Sequence, residues 1–185
     1  MRWSELWALN SEPRLGYIAL ISGMAAVGRS SKPAPAGATI MDEKIRKKIL
    51  ALLDQHRVMT IATLRSDGWP QATTVGYAND GLTIYFASGP DSQKAANLGR
   101  DDRASLTIDH DMPQVMEITG LSMAAHARPV VDSAEASKAL HMLRLKYPQL
   151  PVPMPEDLTI FRVTPIVISL LDYSKCFGHT DLVTC

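Results

Sequence analysis

The spacing of apolar residues changes period several times along the chain. In residues 42–56, Ile45, Ile49, Leu52 and Leu53 recur at helical intervals, while Lys44, Lys47, Lys48 and Asp54 fall elsewhere. This predicts an amphipathic helix, with Asp42 and Glu43 at the positive end of its dipole. The period then drops to two. Val58 to Leu64 predicts a strand, Ser66-Asp67-Gly68 a turn, and Pro70 to Tyr77 the returning strand. Asn79-Asp80-Gly81 is a second hairpin signal, and Leu82 to Ala87 follows as a third strand. Three such strands in succession predict an antiparallel meander.

A polar loop leads from there into a short helix, Ser92 to Arg100, capped by Asp91 or Ser92. Ala104 to Ile108 is a fourth strand. Val115 to Ala127 is a fifth, with Gly120 a candidate bulge or bend. Asp132 or Ser133 caps a further helix to about Tyr147, with Ala136, Leu140, Leu143 and Tyr147 turned inward. Pro148, Pro151, Pro153 and Pro155 form an extended linker. Leu158 to Val163 and Ile166 to Leu171 are the last strands, divided by Pro165. The predicted fold is mainly β with inserted helices (α+β), a small closed or split antiparallel barrel.

Residues 1–40 look different. Leu15 to Val27 is apolar but short for a bilayer span, and Ser30 to Ala38 reads as linker. Met41 opens a clean start. The folded domain is therefore expected over 41–185. The leader is either disordered, outside the mature fold, or a cleaved export signal. The 185 residues carry 19 basic and 19 acidic side chains and no net charge, which argues against a nucleic-acid partner. Two cysteines, Cys176 and Cys185, cannot staple a core of this size, so a reducing, cytoplasmic location is expected, with export the alternative. Cys176 and His179 have no second pair near them, and no metal site is expected.

Candidate chemistry centres on residues 82–100. Strand, small-residue loop and helix N-terminus gather backbone N–H donors in one place, which suits an anion. Lys94 falls in the first turn, where a cation opposes the dipole by a few tenths of a kcal/mol. A bound phosphate would reverse that sign. In the plainer account Asp91 offsets the lysine, which points into water.

Several stretches together resemble the pyridoxamine 5'-phosphate oxidase-like family of FMN-binding split barrels. They are Val58 to Leu64, Asp67-Gly68-Trp69-Pro70, Tyr85 to Ser88, Ser92-Gln93-Lys94-Ala95-Ala96-Asn97-Leu98, and Asp102-Arg103-Ala104-Ser105-Leu106. The resemblance covers about 42–125 well and the last strands loosely. It implies FMN at a homodimer interface, with Ser92 and Lys94 on the phosphate. It places Thr73, Thr74 and Val75 beside the flavin ring, Ala87 and Ser88 near the ribityl chain or phosphate, and Gln114 against the flavin.

True pyridoxamine phosphate oxidases carry an arginine and a lysine on the second strand. Here that strand reads Gln71 to Tyr77 with neither charge, so oxidation of that substrate is not expected. The expected function is an FMN-binding oxidoreductase passing hydride or electrons to an unidentified small molecule. Two alternatives stay open: a reductase using the deazaflavin F420, or a non-catalytic flavin- or haem-binding stress or sensor protein. No residue in 42–125 is an obvious general base. Tyr173, Lys175 and His179 in the tail are candidates to donate a proton or grip an anion, if the tail closes over a partner's flavin. Otherwise they are packing and solvated residues. His56, His110, His126 and His141 read as structural or exposed, with haem ligation their one functional alternative.

Overall fold

Asp42 starts the first helix by accepting hydrogen bonds from the backbone N–H groups of Lys44 (2.7 Å) and Ile45 (3.3 Å). A computed structural model describes residues 41–149 and 158–185. The expectations for the leader and for Pro151, Pro153 and Pro155 lie outside the described residues. The helices are α1 (Glu43–Gln55), α2 (Gln93–Arg100) and α3 (Ser133–Lys146). The strands are β1 (Val58–Leu64), β2 (Pro70–Gly76), β3 (Ala78–Asp80), β4 (Thr83–Ser88), β5 (Arg103–Ile108), β6 (Thr119–Pro129), β7 (Thr159–Asp172) and β8 (Thr180–Thr184). They form one antiparallel sheet in the order β2-β1-β5-β6-β7-β4-β3, with β8 also on β7. This is the expected split-barrel class, mostly antiparallel strands with three inserted helices.

The expected meander is corrected. β1 and β2 form a hairpin, and β3 and β4 form another, but β2 and β3 stand at opposite ends of the strand order. The chain turns away at Tyr77, which is fully buried. Its N–H is shared between Tyr147 Oη at 3.0 Å and the carbonyl of Arg57, the residue before β1, at 3.3 Å, and the pairing with β1 goes no further. Gly76 leaves room for this, since a Cβ there would lie 3.0 Å from Tyr147 Oη. Leu53 O, at the end of α1, accepts from both Tyr77 Oη and Lys146 Nζ at 2.8 Å. The Lys146 ammonium also lies 4.0 Å from the centre of the Tyr77 ring, and burial lowers it to about 8.

The last strands are also corrected. Residues 159–172 form one strand, not two. Ala124 pairs with Val167 and Ala125 with Pro165, which leaves Ile166 as the extra residue of a bulge. On the other edge, β4 stops at Val163 and β8 starts at Val167. Pro165 occupies the gap, where its missing N–H breaks no ladder with either strand. Two further readings differ. Val115–Glu117 is a 3-10 turn rather than strand, and Gly120 is a close approach, since a Cβ there would sit 3.1 Å from Asp109 Cβ. The tail contributes β8, whose alternation is too short to stand out in sequence.

The main core gathers residues from α1, α2 and seven of the strands, while Ala78, Tyr85, Ala139, Leu143 and Ile160 form a second cluster under α3. Phe86 and Phe161 are register partners, and their rings stack at 5.0 Å, a pairing worth about 0.5–1.5 kcal/mol beyond burial.

Asp172 ends β7 with its carboxylate buried. It accepts from Lys48 Nζ on α1 and from Ser174 Oγ at 2.6 Å, and these bonds, the lysine's first, hold its carboxyl below the usual aspartate range. The depressed value means stability that is present above about pH 4 and lost as pH falls through the folded value. Asp172→Ala is expected to cost about 1–3 kcal/mol in urea unfolding near neutral pH. The difference from wild type should shrink in acid, and a difference that held constant with pH would refute this role.

Candidate functional site

Ser92 has extended backbone, and its Oγ accepts from Ala95 N at 3.2 Å, which caps α2. Ser88 is buried at the end of β4, with its Oγ 2.8 Å from Ser92 Oγ. Lys94 reaches back from the first turn of α2, with Nζ 3.4 Å from Ser88 Oγ. Three of the expected phosphate-contacting side chains therefore converge. Lys94 is half-buried and makes no ion pair among the described residues. Asp91 is exposed and does not offset it. A lysine here faces the positive helix end and two hydroxyls, and no neighbouring carboxylate balances its charge.

The residue that fixes α2 is Asn97, fully buried. Its Nδ2 donates to Thr63 Oγ1 on β1 at 3.0 Å and to Gln71 Oε1 on β2 at 3.4 Å, and its Oδ1 accepts from Gln93 Nε2 at 3.0 Å. The helix carrying Lys94 is thus bolted to two strands through one amide. Asn97 falls within the Ser92 to Leu98 stretch, where the family resemblance assigns roles only to Ser92 and Lys94. An amide on the apolar side of a short helix was the available signal.

The other expected contacts separate. Strand alternation puts Gln71, Thr73 and Val75 on one face of β2, and Ala72 and Thr74 on the other. Thr73 lies about 7 Å along the strand from Gln71, and its buried Oγ1 has no hydrogen-bond partner. The Val75 side chain is core. Ala87 packs with the cluster under α3, on the face opposite Ser88. Gln114 is exposed on the β5–β6 connection, before the 3-10 turn.

The tail candidates assemble elsewhere. Lys175 Nζ donates to Asp181 Oδ2 at 2.6 Å, and His179 Nε2 lies 3.1 Å from Asp181 Oδ1. The Asp181 hydrogen bond pushes the Lys175 ammonium up, so the amine is held protonated. Tyr173 packs on Phe177 with ring centres 5.4 Å apart, and its N–H donates to Ile118 O at 3.0 Å. β7 pairs with Ser88 at Thr159 and ends at Asp172. The remaining length of strand contour is roughly 40 Å.

A second polar cluster was not anticipated. His56 Nδ1 lies 2.8 Å from Leu52 O, and His56 Nε2 lies 2.8 Å from His110 Nδ1. The two residues are fifty-four positions apart, and no local pattern links them. His110 borders an open concavity of about 520 Å³ on the outer side of β1, β2 and β5.

The motif residues outside α2 have structural work. Asp67 accepts from Trp69 N at 3.1 Å in a turn where Gly68 has φ of +86°. Asp101 accepts from Arg103 Nη2 at 2.6 Å and Nε at 2.9 Å, hydrogen bonds that bring it down to about 2.

The family model described as pyridoxamine 5'-phosphate oxidase matches residues 45–172. General stress protein 26 of Bacillus subtilis (strain 168) is 25% identical over 100 residues, covering 52% of this chain and 71% of that protein. A Listeria innocua structure, provisionally named a pyridoxamine 5'-phosphate oxidase, superposes with a TM-score of 0.60 at 23% identity, over 69% of this chain and 98% of that one. A heme binding protein from Mycobacterium smegmatis superposes with a TM-score of 0.67 at 18% identity, over 78% of this chain and 60% of that one. These likenesses extend to the fold, and the family match spans most of the sequence. The chain belongs to the pyridoxamine 5'-phosphate oxidase-like family.

Proposed function

We infer that the protein binds FMN and acts as an oxidoreductase on a small molecule, as a homodimer. The observation that carries this reading is the Ser88, Ser92 and Lys94 cluster at the start of α2, with a lysine that no carboxylate neutralises among the described residues. A phosphate there would accept from two hydroxyls, an ammonium and the free N–H groups of the first turn. Thr73 Oγ1, buried and unpartnered on the face of β2 that Gln71 shares, is a polar atom awaiting a partner. FMN, when bound, supplies the capacity to accept or give a hydride. The chain's own residues hold the phosphate and orient the group against β2.

The outer sheet face supports the dimer. Ala72, Ala62, Ser105 and Ala124 are register partners in a row across β2, β1, β5 and β6, and the last three line a shallow concavity of about 400 Å³. Side chains this small let a second sheet approach closely. No helix among the described residues is long and apolar enough to cross a membrane.

The absorbance spectrum of the purified protein tests the cofactor. Flavin bands, with affinity for FMN falling about tenfold to a hundredfold in Lys94→Ala, are expected. A band at shorter wavelength with strong fluorescence would indicate F420, a Soret band would indicate haem, and a colourless protein that takes up none of them would overturn the reading.

Thr73→Val separates the site from the scaffold. It removes a hydroxyl that has no partner, so stability without flavin should hold or rise by up to ~1 kcal/mol, while FMN affinity falls several-fold. A loss of stability with unchanged affinity would show that the hydroxyl serves the fold.

Ala124→Glu places a charge in the small-residue row. Light scattering should show the dimer dissociating at micromolar concentration while the far-UV spectrum is retained. A variant that remains fully dimeric would exclude this face.

A further inference from the structure

Strand pairing sorts the outer face into rows of different size. The row of Ala72, Ala62, Ser105 and Ala124 lies beside a row of Thr74, Thr60, Thr107 and Ser122, and both are small. Beyond the alanines, Leu64 pairs with Pro70, and Arg103 pairs with His126. Beyond the threonines, Val58 pairs with Gly76, and Asp109 lies against Gly120, where an added Cβ would be 3.1 Å from Asp109 Cβ. The face therefore has a bulky end and a bare end, with two small rows between them.

Charge divides in the same way. Arg65, Arg100, Arg103 and Arg128 gather at the bulky end with Asp67, Asp101 and Asp102. Asp109, Asp111 and Glu117 gather at the bare end with Arg57, and none of these four makes an ion pair among the described residues. Arg103 donates from Nε and Nη2 to Asp101, yet its side chain is 73% exposed and three of its N–H donors remain. Asp109 is exposed on the same face.

Packed sheets align to within about 30°. A two-fold axis that lays one copy of this face on another therefore runs either along the strands or across them. An axis along the strands sets like ends together. Arg103 then meets the partner's Arg103, Asp109 meets the partner's Asp109, and bulky row meets bulky row. An axis across the strands sets opposite ends together. Leu64 then faces the partner's Val58, His126 faces the partner's Gly120, and the alanine row faces the threonine row. Large meets small, and positive meets negative.

We propose that two copies dock with the axis across the strands, so that Arg103 pairs with Asp109 of the partner subunit twice in each dimer. This polarity rests on the homodimer reading above, and it covers both concavities of the face with the partner's sheet.

Single cysteines test the polarity. Arg103→Cys and Asp109→Cys are made in separate chains whose exposed native thiols are removed by Cys176→Ser and Cys185→Ser. The two chains, one of them tagged, are co-expressed and treated with a bis-maleimide that spans facing sheets about 10 Å apart. The expected link joins position 103 of one chain to position 109 of the other, and neither variant alone is cross-linked. Links from 103 to 103 or from 109 to 109 would overturn the polarity and leave the homodimer standing. A dimer by light scattering with no link of either kind would do the same, while a monomer would remove the homodimer reading as well. Charge reversal gives a second measurement. Arg103→Asp and Asp109→Arg should each weaken the dimer at least ~tenfold, and the double variant should return to within ~threefold of wild type. Both side chains are exposed, so each variant should keep the wild-type far-UV spectrum. A double variant as weak as the singles would overturn the ion pair.

Discussion

One strand has to satisfy three others. β7 pairs with β6 from Phe161 to Asp172 on one edge and divides the other between β4 and β8. A straight fourteen-residue strand cannot wrap a small barrel. The extra residue Ile166 bends it, and Pro165 stands in the gap between β4 and β8, so bending costs no ladder bonds to either. Before the bend, β7 pairs at Thr159 with Ser88, the last residue of β4, and the chain runs from there directly to the cap of α2. The outer faces of β5 and β6 stay open.

Within that frame the candidate site depends on a buried amide. Asn97 joins α2 to β1 and β2 and so sets the height of Lys94 above the sheet. Lys94 sits at the end of the helix where its charge is least welcome, so the anchoring has to come from elsewhere. A short helix held by one fully hydrogen-bonded polar group keeps that placement without much apolar burial of its own.

The legible parts of the sequence were those set by local rules. The caps at Ser92 and Asp132, each one of two candidates, show as a polar residue before an apolar period, and β1 matches its alternation from Val58 to Leu64. The convergence of Ser88, Ser92 and Lys94 was legible because they are close in the chain. The illegible parts depend on distant partners. Nothing near Tyr77 announces that its N–H will be taken by Tyr147, so the break between β2 and β3 was missed. Pro165 reads as a divider until the strands on either side are known. The pairing of His56 with His110 exists only because β1 and β5 are neighbours.

The same long strand bears on how the chain folds. β4 waits for β7, its partner from the far end of the domain, while β1 and β2 close locally. Pairings at such separation are entropically expensive and slow. On the ribosome the first hairpins emerge with one edge of β4 unpaired, and nothing can cover it until the last quarter of the chain is made. The domain is therefore most exposed to aggregation late in synthesis, and the charged helix α1 and the short β3 are what flank the apolar strands during that interval.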